Sequence, residues 1–140
     1  PAKGFVGVPT PGEIPQFCGK CHSDNFAMGE MANGDDIIRQ ADHLLAQAIR
    51  VIAGLYQDGT LAKPASYASA FPDLLTFHDA PTPIEQRLFV MHLEHRMRCF
   101  QGTFHANPDY ALWYGWSEMV RDLSEIKEMA RQLRAEHSGK

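Results

Sequence analysis

Near the amino end two cysteines stand three residues apart, with a histidine directly after the second: Cys18-Gly19-Lys20-Cys21-His22. Thiols at this spacing can add across the two vinyl groups of one porphyrin, and the adjoining imidazole is then placed to bind its iron from the proximal side. The spacing carries the chemistry. A longer gap would miss one vinyl, and without the histidine the iron would lack its tethered ligand. Two other chemistries use a Cys-x-x-Cys pair. A dithiol redox motif is expected beside a βαβ pattern, which this chain does not display. A zinc site needs a second ligand pair at similar spacing, whereas the remaining cysteine, Cys99, stands alone. The motif therefore predicts one haem c, joined covalently through Cys18 and Cys21 and ligated by His22.

The iron's other axial position decides what such a haem does. A histidine there gives a low-potential electron carrier, a methionine raises the potential, and an open position admits small molecules. His95 comes first among the candidates, because it falls among apolar neighbours where an unpaired imidazole is costly to bury. Iron would satisfy it, and so would a carbonyl or a carboxylate. His105 follows, with His92 and His78 behind it, while His137 is expected at the surface. Met28 and Met31 lie too close to the attachment point to reach over the ring. Met91 and Met97 sit on apolar stripes where methionine usually packs. Arg96 and Arg98 can pair with haem propionates as bidentate donors, or with Glu94 and solvent. Trp113 and Trp116 can lie on the porphyrin, although a core role is the expectation for both.

The elements that must position these residues read as helices. Residues 1–17 are rich in Pro and Gly and predict an irregular lead-in, followed by a helical core over 18–136. The motif and the residues to about Met31 predict a short helix, broken at Asn33-Gly34, with Asp35 capping the next. Over 35–57, Ile38, Ala41, Leu45, Ala48, Ile52 and Leu55 recur at helical spacing and leave His43 facing solvent. The segment 58–82, with Gly59, Pro64, Pro72 and Pro81, predicts a long connection with one turn near Leu74-Leu75, of a length suited to wrapping a cofactor. Thr82-Pro83 opens a helix to about 101 with two apolar stripes. Phe89, Leu93, Met97 and Phe100 form one; Ile84, Leu88, Met91, His95 and Cys99 form the other. Asn107-Pro108-Asp109 opens a last helix to 136, striped by Trp116, Val120, Leu123, Ile126, Ala130 and Leu133. Nothing reads as a strand, so the fold class is all-α: one domain over 1–140, a small bundle of three to four helices around the haem.

Composition sets outer bounds. A formal net charge of −4 without a basic run argues against nucleic acid or an anionic membrane surface as partner. No apolar stretch approaches the length of a membrane span. Opening on Pro1 without a visible signal peptide fits a processed or trimmed chain. Covalent haem attachment implies export, hence a periplasmic or extracellular location. Cys99 is then an odd cysteine in an oxidising compartment, read as a buried small apolar residue.

The chain also resembles a known family. His92-Leu93-Glu94-His95-Arg96-Met97-Arg98, then Gly102-Thr103-Phe104-His105-Ala106-Asn107-Pro108-Asp109-Tyr110, then Trp113-Tyr114-Gly115, is similar to the C-terminal part of octahaem hydroxylamine oxidoreductases and related multihaem cytochromes. The resemblance runs from about Cys18 to Glu136. Its most specific piece is Asn-Pro-Asp-Tyr followed by Trp-Tyr-Gly. Many members carry histidine at the place of Tyr114, and Tyr110 aligns with a tyrosine that crosslinks to a neighbouring subunit's catalytic haem in some of them. The family carries eight haems and this chain can attach one, and the family's catalytic portion has no counterpart here. The resemblance implies a detached electron-transfer and assembly module with redox protein partners, either a homo-oligomer or a subunit of a multihaem array. In such an array, surplus histidines would ligate haems of other chains. The alternatives are a hydroxylamine- or nitrite-type oxidoreductase subunit with an open haem, using His105 or Tyr110 as proton donor, and a gas-binding haem sensor.

Overall fold

The apolar stripe of the first long helix does what its spacing demands. The structure, a computed structural model, describes residues 13–76 and 80–139, apart from the side chains of Ile14 and Pro15. Within it Ala41, Leu45, Ala48, Ile52 and Leu55 are buried on one face of α2 (Asp24–Gln57), and His43 faces solvent as expected. A short α1 (Ile14–Cys18) precedes it, so residues 14–17 are helical and not part of an irregular lead-in. Residues 1–12 of that lead-in, and His78, lie outside the described residues.

The expected break at Asn33-Gly34 does not occur. Helix α2 runs straight through it, beginning instead at a Ser23 cap whose hydroxyl accepts from the Phe26 amide at 3.3 Å. Gly34 is buried because a Cβ there would stand 2.6 Å from Thr103 Cγ2. A glycine inside a helix costs about 1 kcal/mol against alanine; here it admits a neighbouring helix. The helix ends at Asp58 and Gly59, whose φ of 77° is the left-handed conformation glycine adopts without strain.

Two further rods follow. The first comprises α3 (Pro83–Val90), a π-helical segment (Met91–His95) and α4 (Arg96–Phe104). The second comprises α5 (Pro108–Tyr110), a π-helical segment (Ala111–Trp116) and α6 (Ser117–Ser138). At the tip between them Ala106 adopts φ 52°, and the Asn107 side chain accepts from the Tyr110 amide at 3.0 Å. Contacts fix the directions. Gly34 meets Thr103 while Asp42 pairs with Arg96 at 2.6 Å, so α2 and α4 are antiparallel. Lys127 reaches Gln47 and Arg134 reaches Asp58, so α2 and α6 run in parallel. Among the described residues there is no strand, and the all-α expectation holds.

The core forms where these rods face one another. Ile84, Leu88, Met91, His95 and Cys99, the second of the two predicted stripes, all point inward, against α2 and against Met119, Leu123, Ile126 and Ala130. The first stripe does not find a second wall. Phe89 is buried, but Leu93 and Phe100 are exposed. On the last helix Val120 is exposed and Met119 buried. The π-helical segment before them explains this, because each wide turn rotates the following face away from a 3.6-residue register. The connection after α2 packs at the bundle's far end. Tyr67 is buried, Lys63 donates to the carbonyls of Tyr67 and Ser69, and Phe71 shares a cleft with Ala53, Tyr56 and Gln57. Asp73 accepts from the Leu75 amide at 2.9 Å, giving the one expected turn. Across about 50 Å of α2 from the motif, this connection cannot wrap a group held there, contrary to the expectation.

The closest packing lies between α4 and the second π-helical segment. A Cβ on Gly102 would meet the Ala111 backbone nitrogen at 2.5 Å, and one on Gly115 the Cys99 backbone nitrogen at 2.5 Å. Gly102→Ala is expected to lower stability by about 3 kcal/mol, since backbone cannot yield as a flexible side chain does. Gly29→Ala, with nothing within 4 Å, should instead raise it by roughly 0.5–1 kcal/mol. Denaturant titration checks both, and equal midpoints for the two variants would contradict the packing.

Candidate functional site

The Cys18–His22 motif forms one tight turn between α1 and α2. The amides of Cys21 and His22 both donate to the Cys18 carbonyl, at 3.1 and 3.0 Å. Cys18 ends α1 and is half-buried, Cys21 is exposed, and neither is in a disulfide. His22 directly precedes the capping Ser23, and its imidazole stacks on the Phe26 ring with centroids 4.8 Å apart and planes 28° from parallel. The Lys20 ammonium lies 5.0 Å over the Phe17 ring. Phe17, Phe26 and Met28 are more than half exposed, an unusual density of open apolar surface on one short stretch. Two reachable free thiols on one turn, an adjoining imidazole and bare apolar side chains form a donor set that fits a thioether-bound haem.

The other predicted site residues are not gathered here. Arg96, beside His95, pairs with Asp42, which lies eighteen residues beyond Asp24. At 1.5 Å per residue that is about 27 Å along α2. Neither His95 nor Arg96 therefore meets the motif. His95 is buried, and its Nδ1 lies 2.5 Å from Asp122 Oδ2, the carboxylate alternative that its burial left open. Arg98 pairs with Glu94 at 2.5 Å. Trp113, expected in the core, is 73% exposed, whereas Trp116 packs against the core. His105 caps the end of α4, exposed, in a cleft with Gln101, Gly102, Asn107 and Tyr110. That tip stands on the motif's half of the bundle, since Ala106 and Pro108 share a cleft with Glu30 and Met31. His92 is half-buried, with its pKa pushed down by burial and then by the Arg96 charge. His137 is exposed.

Two carboxylates that sequence reasoning passed over hold the middle of the bundle. Glu85 and Asp122 are fully buried. Glu85 accepts from Tyr56 and from Thr82, the latter at 2.6 Å, and burial together with that carboxylate pushes the Tyr56 pKa upward. Asp122 takes His95 and, at 3.4 Å, Arg87, which also pairs with Glu125 at 2.8 Å. The available signal was a charge on an apolar face: Asp122 is spaced with Met119 and Ile126 on one side of α6. Cys99 is buried against Ala111 and Met119, and burial raises its thiol pKa to about 11, as suits a packing residue.

No family model and no curated protein matches the chain. Its architecture does recur. The all-α arrangement of helices is shared with a larger solved structure. Specifically, the chain is similar to a solved structure from the reducing HAO-like protein complex of Kuenenia stuttgartiensis, at TM-score 0.77 and 22% identity. The match covers 89% of this chain and 32% of that one, so this chain spans about a third of its neighbour's length. Among the described residues, no helix is long and apolar enough to cross a membrane.

Asp122→Ala would leave His95 and Arg87 facing an emptied core position. Breaking a buried pair in this way costs about 3–5 kcal/mol, so the variant should unfold at markedly lower denaturant than wild type. A loss below about 1 kcal/mol would mean that Asp122 is not holding these partners.

Proposed function

We propose that this chain is a c-type cytochrome module that passes single electrons between redox partners outside the cytoplasm, as a subunit of a multihaem assembly. The carrying observation is the Cys18–His22 turn, which presents two free thiols and an imidazole together at the start of α2. Its occurrence in a fold shared with a member of an HAO-like protein complex supports the reading. Thioether attachment to Cys18 and Cys21 places the haem in an exported, periplasmic or extracellular protein.

When bound, the haem supplies a one-electron couple whose potential the protein tunes through ligand, burial and hydrogen bonds. The chain's own residues do the rest. Cys18 and Cys21 would fix the ring and His22 would hold the iron, while Phe17, Phe26 and Met28 offer apolar surface beside the turn. His95, about 27 Å along α2 from the turn, is too far from it to reach the same iron. His105, exposed on the same half of the bundle, is the proposed second ligand, either to this chain's iron or to that of a neighbouring copy.

Protein matured with the haem-attachment machinery should keep its haem through acid–acetone extraction and denaturing mass spectrometry. Cys18→Ala/Cys21→Ala should lose it entirely. A wild-type chain free of covalent haem, or one binding zinc at these thiols, would end this reading.

The spin state tests the carrier role. Absorption and EPR spectra should be low-spin in both oxidation states, with little response to CO, and His105→Ala should become high-spin. If dilution to monomer also converts wild type to high-spin, His105 acts between chains. A wild-type iron that is high-spin in the assembled protein and binds CO readily would instead favour an oxidoreductase or gas-sensing site.

A further inference from the structure

We propose that Phe26 is a positioning residue for the axial imidazole of His22, holding the ring's rotation and biasing the iron toward its oxidised state. The inference rests on the haem reading of the Cys18–His22 turn and adds a residue to it.

The arrangement follows from the helix start. Ser23 is the cap, and its hydroxyl accepts from the Phe26 amide three residues on, which fixes the Phe26 backbone in the first turn. Helical side chains lean toward the amino end, so the Phe26 ring is carried back toward the residue before the cap. That residue is His22. The contact is akin to a staple, which joins the residue before a cap to the fourth helical residue through apolar side chains; here the imidazole meets the third. The rings stack face to face at 4.8 Å and 28°. Phe26 is 53% exposed, so burial in the bundle core does not bring it there.

Two consequences follow. A stacked phenyl blocks free rotation about the His22 side-chain bonds, so the imidazole plane is set before the iron is bound. An aromatic face also attracts positive charge, and the ligated imidazole carries more of it when the iron is oxidised. The stack therefore stabilises the oxidised form relative to the reduced one.

The test compares Phe26→Leu, which keeps apolar bulk without a ring, with Phe26→Tyr, which keeps the ring, in the haem-loaded protein. Phe26→Leu should raise the equilibrium constant for one-electron reduction about threefold, roughly 30 mV, and alter the spread of paramagnetically shifted haem-methyl resonances that reports the imidazole plane. Phe26→Tyr should restore both. Phe71→Leu, an exposed phenyl at the opposite end of α2, should change neither. In the haem-free chain, NMR of the His22 ring protons should lose its ring-current shift in Phe26→Leu, a readout independent of haem loading. Unchanged potential, methyl pattern and ring-proton shift in Phe26→Leu would overturn the assignment while leaving the haem reading intact. A wild-type chain that attaches no haem would instead remove the foundation of both.

Discussion

Everything the bundle does with its attachment motif depends on how closely α4 approaches its neighbours. Gly102 lies against the Ala111 backbone, Gly115 against Cys99, and Gly34 against Thr103. Each contact is one that a single added methyl group would block. Helices at ordinary separation are spaced by side chains on both partners; here glycine removes one of the two. The consequence is one of register. Because Gly34 is level with Thr103, the first ten residues of α2 extend about 15 Å beyond the end of α4. The motif is carried on that projecting stretch. Its exposure comes from the bundle's geometry and not from a loose terminus.

A second constraint keeps the chemistry at that end. Buried carboxylates must be paired or hydrogen-bonded, and their loss costs more than their presence contributes. Glu85 and Asp122 meet this requirement by drawing Tyr56, Thr82, His95 and Arg87 into bonds that link α2, α3 and α6. These bonds select one rotation of each rod about its axis, which an apolar stripe alone leaves loose. They also occupy His95. The imidazole that sequence patterning singled out as an iron ligand is the one the fold uses to fix its own register, whereas His22 and His105 stay at the surface.

How much of this was legible in the sequence varies by element, for physical reasons. The motif is local, so its residues could be read directly, although they form a turn between α1 and α2 where a short helix was expected. The α2 stripe, whose six apolar residues follow an undisturbed 3.6-residue period, was equally plain. Gly34 misled because a helix-breaking residue and a close-packing residue look alike until the neighbouring helix is known. Trp113 and Val120 misled because the π-helical segment at Ala111–Trp116 resets the face, and no composition rule announces an extra residue per turn. Arg96 was chosen by chemical type and His95 by its place on an apolar stripe, but their distance from the motif is set by the antiparallel pairing of α2 and α4, a long-range fact. Asp122 was visible as a charge on an apolar face, and it supplies the carboxylate that a buried histidine requires.

The distribution of open apolar surface joins these strands. Phe17, Phe26 and Met28 flank the motif, and Phe100, Phe104, Leu112, Trp113 and Tyr114 are exposed on the hairpin-tip half of the bundle. Aromatic and methionine side chains at this density resemble the centre of an interface more than a solvated exterior. The middle of the bundle, by contrast, closes over its own core and satisfies its own charges. The apolar rim and the Cys18–His22 turn lie on the same half of the bundle, since the hairpin tip shares a cleft with Glu30 and Met31. The close helix packing that carries the turn beyond the end of α4 therefore leaves both open at one end, while the buried carboxylates close the other.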